Sequence, residues 1–241
     1  MDKQLLLDFI EKYSLAGQIE SVAWESTDKK LKTRLISDDK SLLGEITMHG
    51  VEEKEFDGRK LGFFKTSEFL KLLGVLQDKV SISLQIIGES AASISLVDEN
   101  GTKAKFALSD LAVIPAVPNF KNIPKEFEIS VKITPELASL FIKAVGAVTN
   151  VRMFTVHSTA KKTQFILGQT DVNTNNVMFD VETESSEAID DCSFNADYFK
   201  KILNANKGAN ITFKVSKDGI SVVECTSDAY SAKYYIVASA K

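Results

Sequence analysis

The stretch EFLKLLGVLQDKVSISLQI, Glu68 to Ile86, returns in altered form as DYFKKILNANKGANITFKV, Asp197 to Val215. An offset of 129 puts Glu68 on Asp197, Phe69 on Tyr198, Leu70 on Phe199, Lys71 on Lys200 and Leu73 on Ile202. Without a gap it goes on to match Ile82 with Ile211, Leu84 with Phe213, Ile86 with Val215, Phe106 with Tyr235 and Leu108 with Val237. Such a register constrains the fold more than any single element, because a duplicated unit must bury the same faces twice. Earlier in each half the match is looser, at an offset of 131. There LLLDFIEK (Leu5 to Lys12) lies over ELASLFIK (Glu136 to Lys143), bringing Leu6 onto Leu137, Ile10 onto Phe141 and Lys12 onto Lys143.

Four helices are predicted, near residues 3–14, 67–78, 135–149 and 196–206. Thr66 and Asn195 stand at equivalent cap positions, and Thr134 precedes Pro135, a cap followed by proline at the first helical position. Between the helices the pattern has period two, in SISLQI (81–86), SISLV (93–97), KAKFAL (103–108), MFTVHS (153–158), VMFDVE (177–182), ITFKV (211–215) and KYYIVA (233–238). DENG (98–101) and KDG (217–219) supply turns. Alternation implies sheets with one buried face, which amphipathic helices can cover. The stretch SDLAVIPAVPNFKNIPKEF (109–127) holds three of the four prolines and interrupts the pattern, so it reads as a connector. The expected fold class is α+β, two tandem similar domains with two helices each on antiparallel sheet. The expected divisions are 1–114, a connector at 115–127, and 128–241.

Catalysis has little to stand on. His49 and His157 lie far apart, Cys192 and Cys225 form no metal or redox spacing, and no phosphate loop, nucleophile elbow or HExxH is present. The acid pairs Asp38–Asp39 and Asp190–Asp191 sit among polar residues and read as solvated loops. No enzyme activity, metal or cofactor is therefore expected. No apolar run approaches the roughly 18–20 residues that span a bilayer. The N-terminal MDKQLLLDFIEKY carries acids within its apolar stretch, so no signal peptide is expected, and reduced thiols in a cytoplasm are the default.

The helix faces away from the core carry the interest. At 100° per residue, Leu6, Phe9, Ile10 and Tyr13 form an apolar stripe with Lys12 facing out. Phe69, Leu70, Leu73 and Leu76 do so with Lys71 opposite, and Leu137, Leu140, Phe141 and Ala144 with Ser139 and Lys143 opposite. In the last helix Tyr198, Phe199, Ile202 and Ala205 face in, leaving Lys200, Asn204 and Lys207 outside. A solvated helix face is ordinarily charged, so lysines alone decide nothing. Taken with their flanking residues (2–16, 65–79, 133–150 and 195–207), the four helical segments together carry +2, and the remainder of a chain with net charge −4 carries −6.

The tandem helix-plus-sheet halves, the proline-bearing connector and the ending KYYIVASAK (233–241) resemble the DNA polymerase sliding clamps. The segment FDGRKLGFFKTSEFLKLLG (56–74) looks most like the T4-type phage branch, with cellular PCNA a more distant relative. The resemblance implies the DNA clamp fold, a homotrimeric ring lined by helices around duplex DNA, and two protein partners, a DNA polymerase and a clamp loader. It implies no membrane partner and, for a viral protein, the host cytoplasm. The DNA-facing residues it implies are Lys12, Lys71, Lys143, Lys200 and Lys207, with Lys201 and Arg152 at the margin. Subunit contacts would come from KAKFAL and VMFDVE, with Lys105, Phe106, Val177 and Phe179 as candidates. A partner-peptide pocket would draw on Val117, Phe120, Ile123, Val237 and Ala238. The alternative is a duplicated β-rich structural or assembly protein of a virus, in which the lysines merely solvate helices.

Overall fold

In the computed structural model, which describes residues 1–119, 123–159, 162–168, 175–184 and 187–239, the repeat appears as two compact units. Met1–Ser37, Gly44–Val117 and Asp228–Ala232 belong to the first, and the other described residues to the second. From Met1 to Val117 the chain forms α1 (Lys3–Ser14), β1 (Val22–Thr27), β2 (Lys30–Ile36), β3 (Leu42–His49) and β4 (Lys60–Phe63). It continues through α2 (Thr66–Gly74), β5 (Val80–Ile87), β6 (Ser90–Asp98), β7 (Lys103–Ala107) and a short 3-10 turn at Leu111–Val113. The sheets run in the orders β4-β1-β2-β3 and β5-β6-β7, antiparallel through β1 and β6.

The second half has β8 (Ile129–Ile133), α3 (Pro135–Ala147), β9 (Met153–Thr159), β10 (Lys162–Leu167) and β11 (Val177–Val181). Then come β12 (Ile189–Asn195), α4 (Ala196–Ala205), β13 (Asn210–Val215), β14 (Ile220–Thr226) and β15 (Tyr230–Val237). Its sheets run β12-β9-β10-β11 and β8-β13-β14-β15. The offset of 129 thus carries α2, β5, β6 and β7 onto α4, β13, β14 and β15, and that of 131 carries α1, β1 and β2 onto α3, β9 and β10. Even β8 has a counterpart, reduced to a bridge from Asp2 to Lys79 and a hydrogen bond from Val80 N to Met1 O.

Each unit encloses an aromatic core between its helix pair and its sheets. In the first, Trp24 of β1 stacks on Phe63 of β4 at 3.9 Å, while Phe9 of α1 and Phe69 of α2 meet the indole edge-on. In the second, Phe199 of α4 contacts Phe141 of α3, Phe154 of β9 and Phe213 of β13, with centroids 4.8 to 5.1 Å apart. Glycine is required at one approach: a Cβ on Gly62 would collide with Ser109 O, whereas the bare backbone lets Ser109 N donate to Gly62 O at 2.9 Å. That bond ties the chain after β7 to β4.

Thr134 and Asn195 cap α3 and α4 as their sequence positions imply, accepting from Leu137 N and from Asp197 N and Tyr198 N. Thr66 does not cap α2. Its hydroxyl is buried and donates to Glu20 O at 2.9 Å, and the Glu20 carboxylate accepts from Ser67 N instead. The second helix also stops at Gly74, short of residue 78, because Gln77 N is drawn off to the Asp98 carboxylate at 3.0 Å. Among the described residues no helix is long and apolar enough to cross a membrane.

Asp98 is buried and takes further hydrogen bonds from Asn100 N and Thr102 N. Burial pushes its carboxyl up, but the donors from Gln77, Thr102 and Asn100 outweigh it and hold it below the usual range. A depressed folded value means stability present above the unfolded pKa of about 3.9 and lost as pH falls through the folded one. Asp98→Asn should lower the thermal midpoint at neutral pH and flatten the part of the acid limb below about pH 4. Midpoints from circular dichroism that follow the parent's acid limb in parallel would refute this.

Candidate nucleic-acid interface and partner cleft

The helices of each unit pack in pairs, α1 with α2 and α3 with α4, with their apolar stripes on the aromatic cores. Lys71 and Lys143 are exposed on α2 and α3, Lys200 is half-buried on α4, and Lys207 and Arg152 are exposed just beyond α4 and α3. None of these five forms an ion pair with a described residue. Lys201 is half-buried and bound to Asp197 at 2.7 Å, one helical turn away, so its charge is largely answered within α4.

Lys12 departs from its expected outward position. Its side chain is 10% exposed, with Nζ 3.8 Å from Glu11 and 5.1 Å from the centroid of the Tyr230 ring. The aliphatic stem lies in the unit's packing and the ammonium faces an aromatic ring. Azimuth on α1 alone could not reveal this, because Tyr230 comes from the far end of the sequence. Leu140, assigned to the α3 stripe, is 43% exposed, whereas Phe141 and Ala144 are buried.

Beside the first part of the connector, a cleft of about 620 Å3 opens over the outer face of the β4-β1-β2-β3 sheet. Ile114, Pro115 and Val117 form one wall, and Glu25, Lys32, Arg34, Glu45 and Lys60 line the floor. Lys60 holds Glu25 at 2.7 Å and Arg34 approaches Glu45 at 3.8 Å, so the cleft is more polar than the apolar candidates suggest. Of those candidates Val117 lines it. Ile123, Val237 and Ala238 belong to the second unit, with Val237 41% exposed, and Phe120 lies outside the described residues. The strands that supply the charged floor were not singled out by periodicity.

Among the described residues β7 and β11 each pair on one side only. Phe106 points inward, 6% exposed, and stacks over Phe63 at 5.9 Å, so its ring belongs to the core of its own unit. Lys105 faces out, with Nζ donating to Gln85 Oε1 at 2.9 Å. On β11, Val177 and Phe179 are half-buried, the latter against Phe165, while Met178 is 49% exposed. The Lys162 ammonium, with Gln164 beside it, holds the Asp180 carboxyl below the usual range.

A scan against family models finds no match to this chain. A search of curated proteins finds none either. Solved structures do match. The PCNA of A. fulgidus, solved with the C-terminal region of FEN-1 bound, superposes with a TM-score of 0.74 at 15% identity, over 100% of this chain and 97% of that one. Proliferating cellular nuclear antigen from Entamoeba histolytica gives 0.74 at 13% identity, covering 99% and 96%. The PCNA2-PCNA3 complex from Sulfolobus tokodaii gives 0.73 at 14%, covering 100% and 98%. At these identities the likeness establishes the fold: the chain has the α+β, PCNA-like clamp fold.

Burial separates Lys12 from Lys71 in a measurable way. Lys12→Ala should cost about 1–2 kcal/mol through lost stem packing and the contact with Tyr230. Lys71→Ala should stay within about 0.5 kcal/mol of the parent. Urea unfolding curves showing the same midpoint for both variants would contradict the placement of Lys12.

Proposed function

We propose that this chain is the subunit of a sliding clamp, a closed ring that encircles duplex DNA and tethers a DNA polymerase to its template. The whole-chain likeness to PCNA structures, at a TM-score of 0.74, carries this reading. Three chains with four helices each would set twelve helices around the duplex. Lys71, Lys143, Lys200, Lys207 and Arg152 then meet phosphates, with Lys201 contributing weakly through its ion pair. Such contacts are independent of sequence, screened by salt and quickly exchanged, which sliding requires. A net charge of −4 suits a protein that retains DNA by enclosing it, since strong adhesion would stop the motion.

Subunits join through the open edges of β7 and β11, near Lys105, Phe106, Val177 and Phe179. A clamp loader opens the ring, and partner enzymes dock a peptide in the cleft beside the connector. The C-terminal region of FEN-1 bound to the A. fulgidus protein supports docking of a partner segment, and the cleft is assigned from its place beside the connector. The 56–74 segment supports placement in the T4-type phage branch, with action in the cytoplasm of an infected cell. The protein works by binding and performs no chemistry.

On primed DNA, polymerase products should lengthen only when this protein has been loaded. Reversing Lys71, Lys143 and Lys200 together to glutamate should shorten them several-fold while leaving the thermal midpoint unchanged. Products of parental length from that variant would remove the lysines from the mechanism. Products that never lengthen with the parent protein would favour a duplicated structural protein.

A further inference from the structure

One strand of the repeat is covered in the second unit and open in the first. In the second unit β8 lies antiparallel on β13, with Ile129 opposite Val215, Val131 opposite Phe213 and Ile133 opposite Ile211. None of these six side chains is more than 6% exposed. The offset of 129 puts Ile82, Leu84 and Ile86 of β5 on Ile211, Phe213 and Val215. Among the described residues, however, β5 pairs with β6 alone, and the bridge from Asp2 to Lys79 does not extend along its other edge. Ile82 and Leu84 are accordingly half-buried and Ile86 is 39% exposed.

The open edge keeps the hydrogen-bonding parity of the covered one. Val80 N donates to Met1 O at 3.0 Å, the Met1 ammonium donates to Val80 O at 2.8 Å and Leu84 N donates to Glu55 Oε2 at 3.3 Å, all away from β6. Alternation along the strand turns the N–H and C=O of Ile82 the same way, and no described residue bonds either group. In the second unit the segment after β11 flanks the far side of β8. There Glu184 N donates to Ser130 O at 2.8 Å, and Ser130 Oγ donates to Glu184 Oε2 at 3.1 Å. At offset 131 Glu184 falls on Glu53, in the segment that carries Glu55. The Glu55 side chain thus reaches β5 from the flank, across the place that a strand fills in the other copy of the repeat.

We propose that the open edge of β5 receives an extended tail of a partner protein, added as a strand in the position β8 holds on β13. The repeat itself specifies the chemistry of that tail. Three apolar residues at alternate positions cover Ile82, Leu84 and Ile86, and one of the polar residues between them is a lysine or arginine. In β8 that cation is Lys132, exposed beside Glu182 and Glu184, and the corresponding segment of the first unit offers Glu53 and Glu55. A carbonyl of the tail replaces the Glu55 carboxylate on Leu84 N, and the displaced carboxylate meets the cation. Main-chain bonds hold a strand added in this way, and its alternate side chains select it. Until then Glu55 shields an edge whose open amides and exposed apolar residues invite unwanted pairing. The site shares no residue with the cleft beside the connector, and it stands independently of the clamp reading.

The probe is the β8 segment itself, a fluorescein-labelled peptide of Glu128–Thr134, titrated with the full chain and read by fluorescence anisotropy. Binding should saturate. In β8 the Val131 amide faces the receiving strand, so its N-methylation should weaken binding by about tenfold or more. Lys132→Glu in the peptide should weaken it several-fold at low salt. In the protein, Ile82→Pro removes an outward N–H and spares the ladder to β6, which Ser81, Ser83 and Gln85 form. That variant should lose binding by about tenfold or more. Circular dichroism checks that it folds, and the N-methylated peptide tests the same bonds on the parent chain. A parent chain that fails to bind the peptide overturns the proposal, as does binding untouched by N-methylation. Binding that survives Ile82→Pro in a folded variant puts the peptide elsewhere, in exchange for β8, and also overturns it. Dimers of the parent that Ile82→Pro abolishes would give the edge to a second copy and overturn it too.

Discussion

Aromatic packing beneath the helices is the constraint on which the remaining structure depends. Phe9 and Phe69 reach the Trp24 indole from α1 and α2, and Phe141 and Phe199 of α3 and α4 meet each other at 4.8 Å. Turning any helix about its axis would withdraw a buried ring, worth roughly 1.5–3 kcal/mol. Helix azimuth is therefore fixed from inside. Lys71 and Lys143 point outward because their partners on the opposite stripe cannot move.

Strand edges follow from the same packing. Phe106 is held inward by Phe63 and Phe69, and that sets the alternation that turns Lys103 and Lys105 outward. Phe165 draws Phe179 inward, and so Asp180 outward. One core thus assigns both a polar face and a row of open backbone groups to each edge. A single-residue slip on either strand would exchange those faces, so the cores specify the edges as well as the interior.

Much of the architecture was legible from the chain because it is local. The duplication, the helix stripes of α1, α2 and α4, the alternating strands and the caps at Thr134 and Asn195 each depend on neighbours a few residues away. Departures occur where a distant group intervenes. Glu20 supplies the cap of α2 in place of Thr66, and Asp98 ends that helix early. The cleft beside the connector is floored by strands whose alternation mixes charged and apolar residues, and its polarity emerges only when β1, β2, β3 and β4 lie side by side.

By itself the sequence determined a doubled α+β unit, since periodicity records which side of each element must leave water. Tertiary structure alone decided which outward positions are truly exposed. Lys12 and Lys143 hold matching places in the repeat, yet the ring of Tyr230 covers the first and the second stands in solvent. Leu140, apolar by pattern, was left open on α3. Exposure is a property of all the atoms around a side chain, and most of those atoms come from residues far away in the chain.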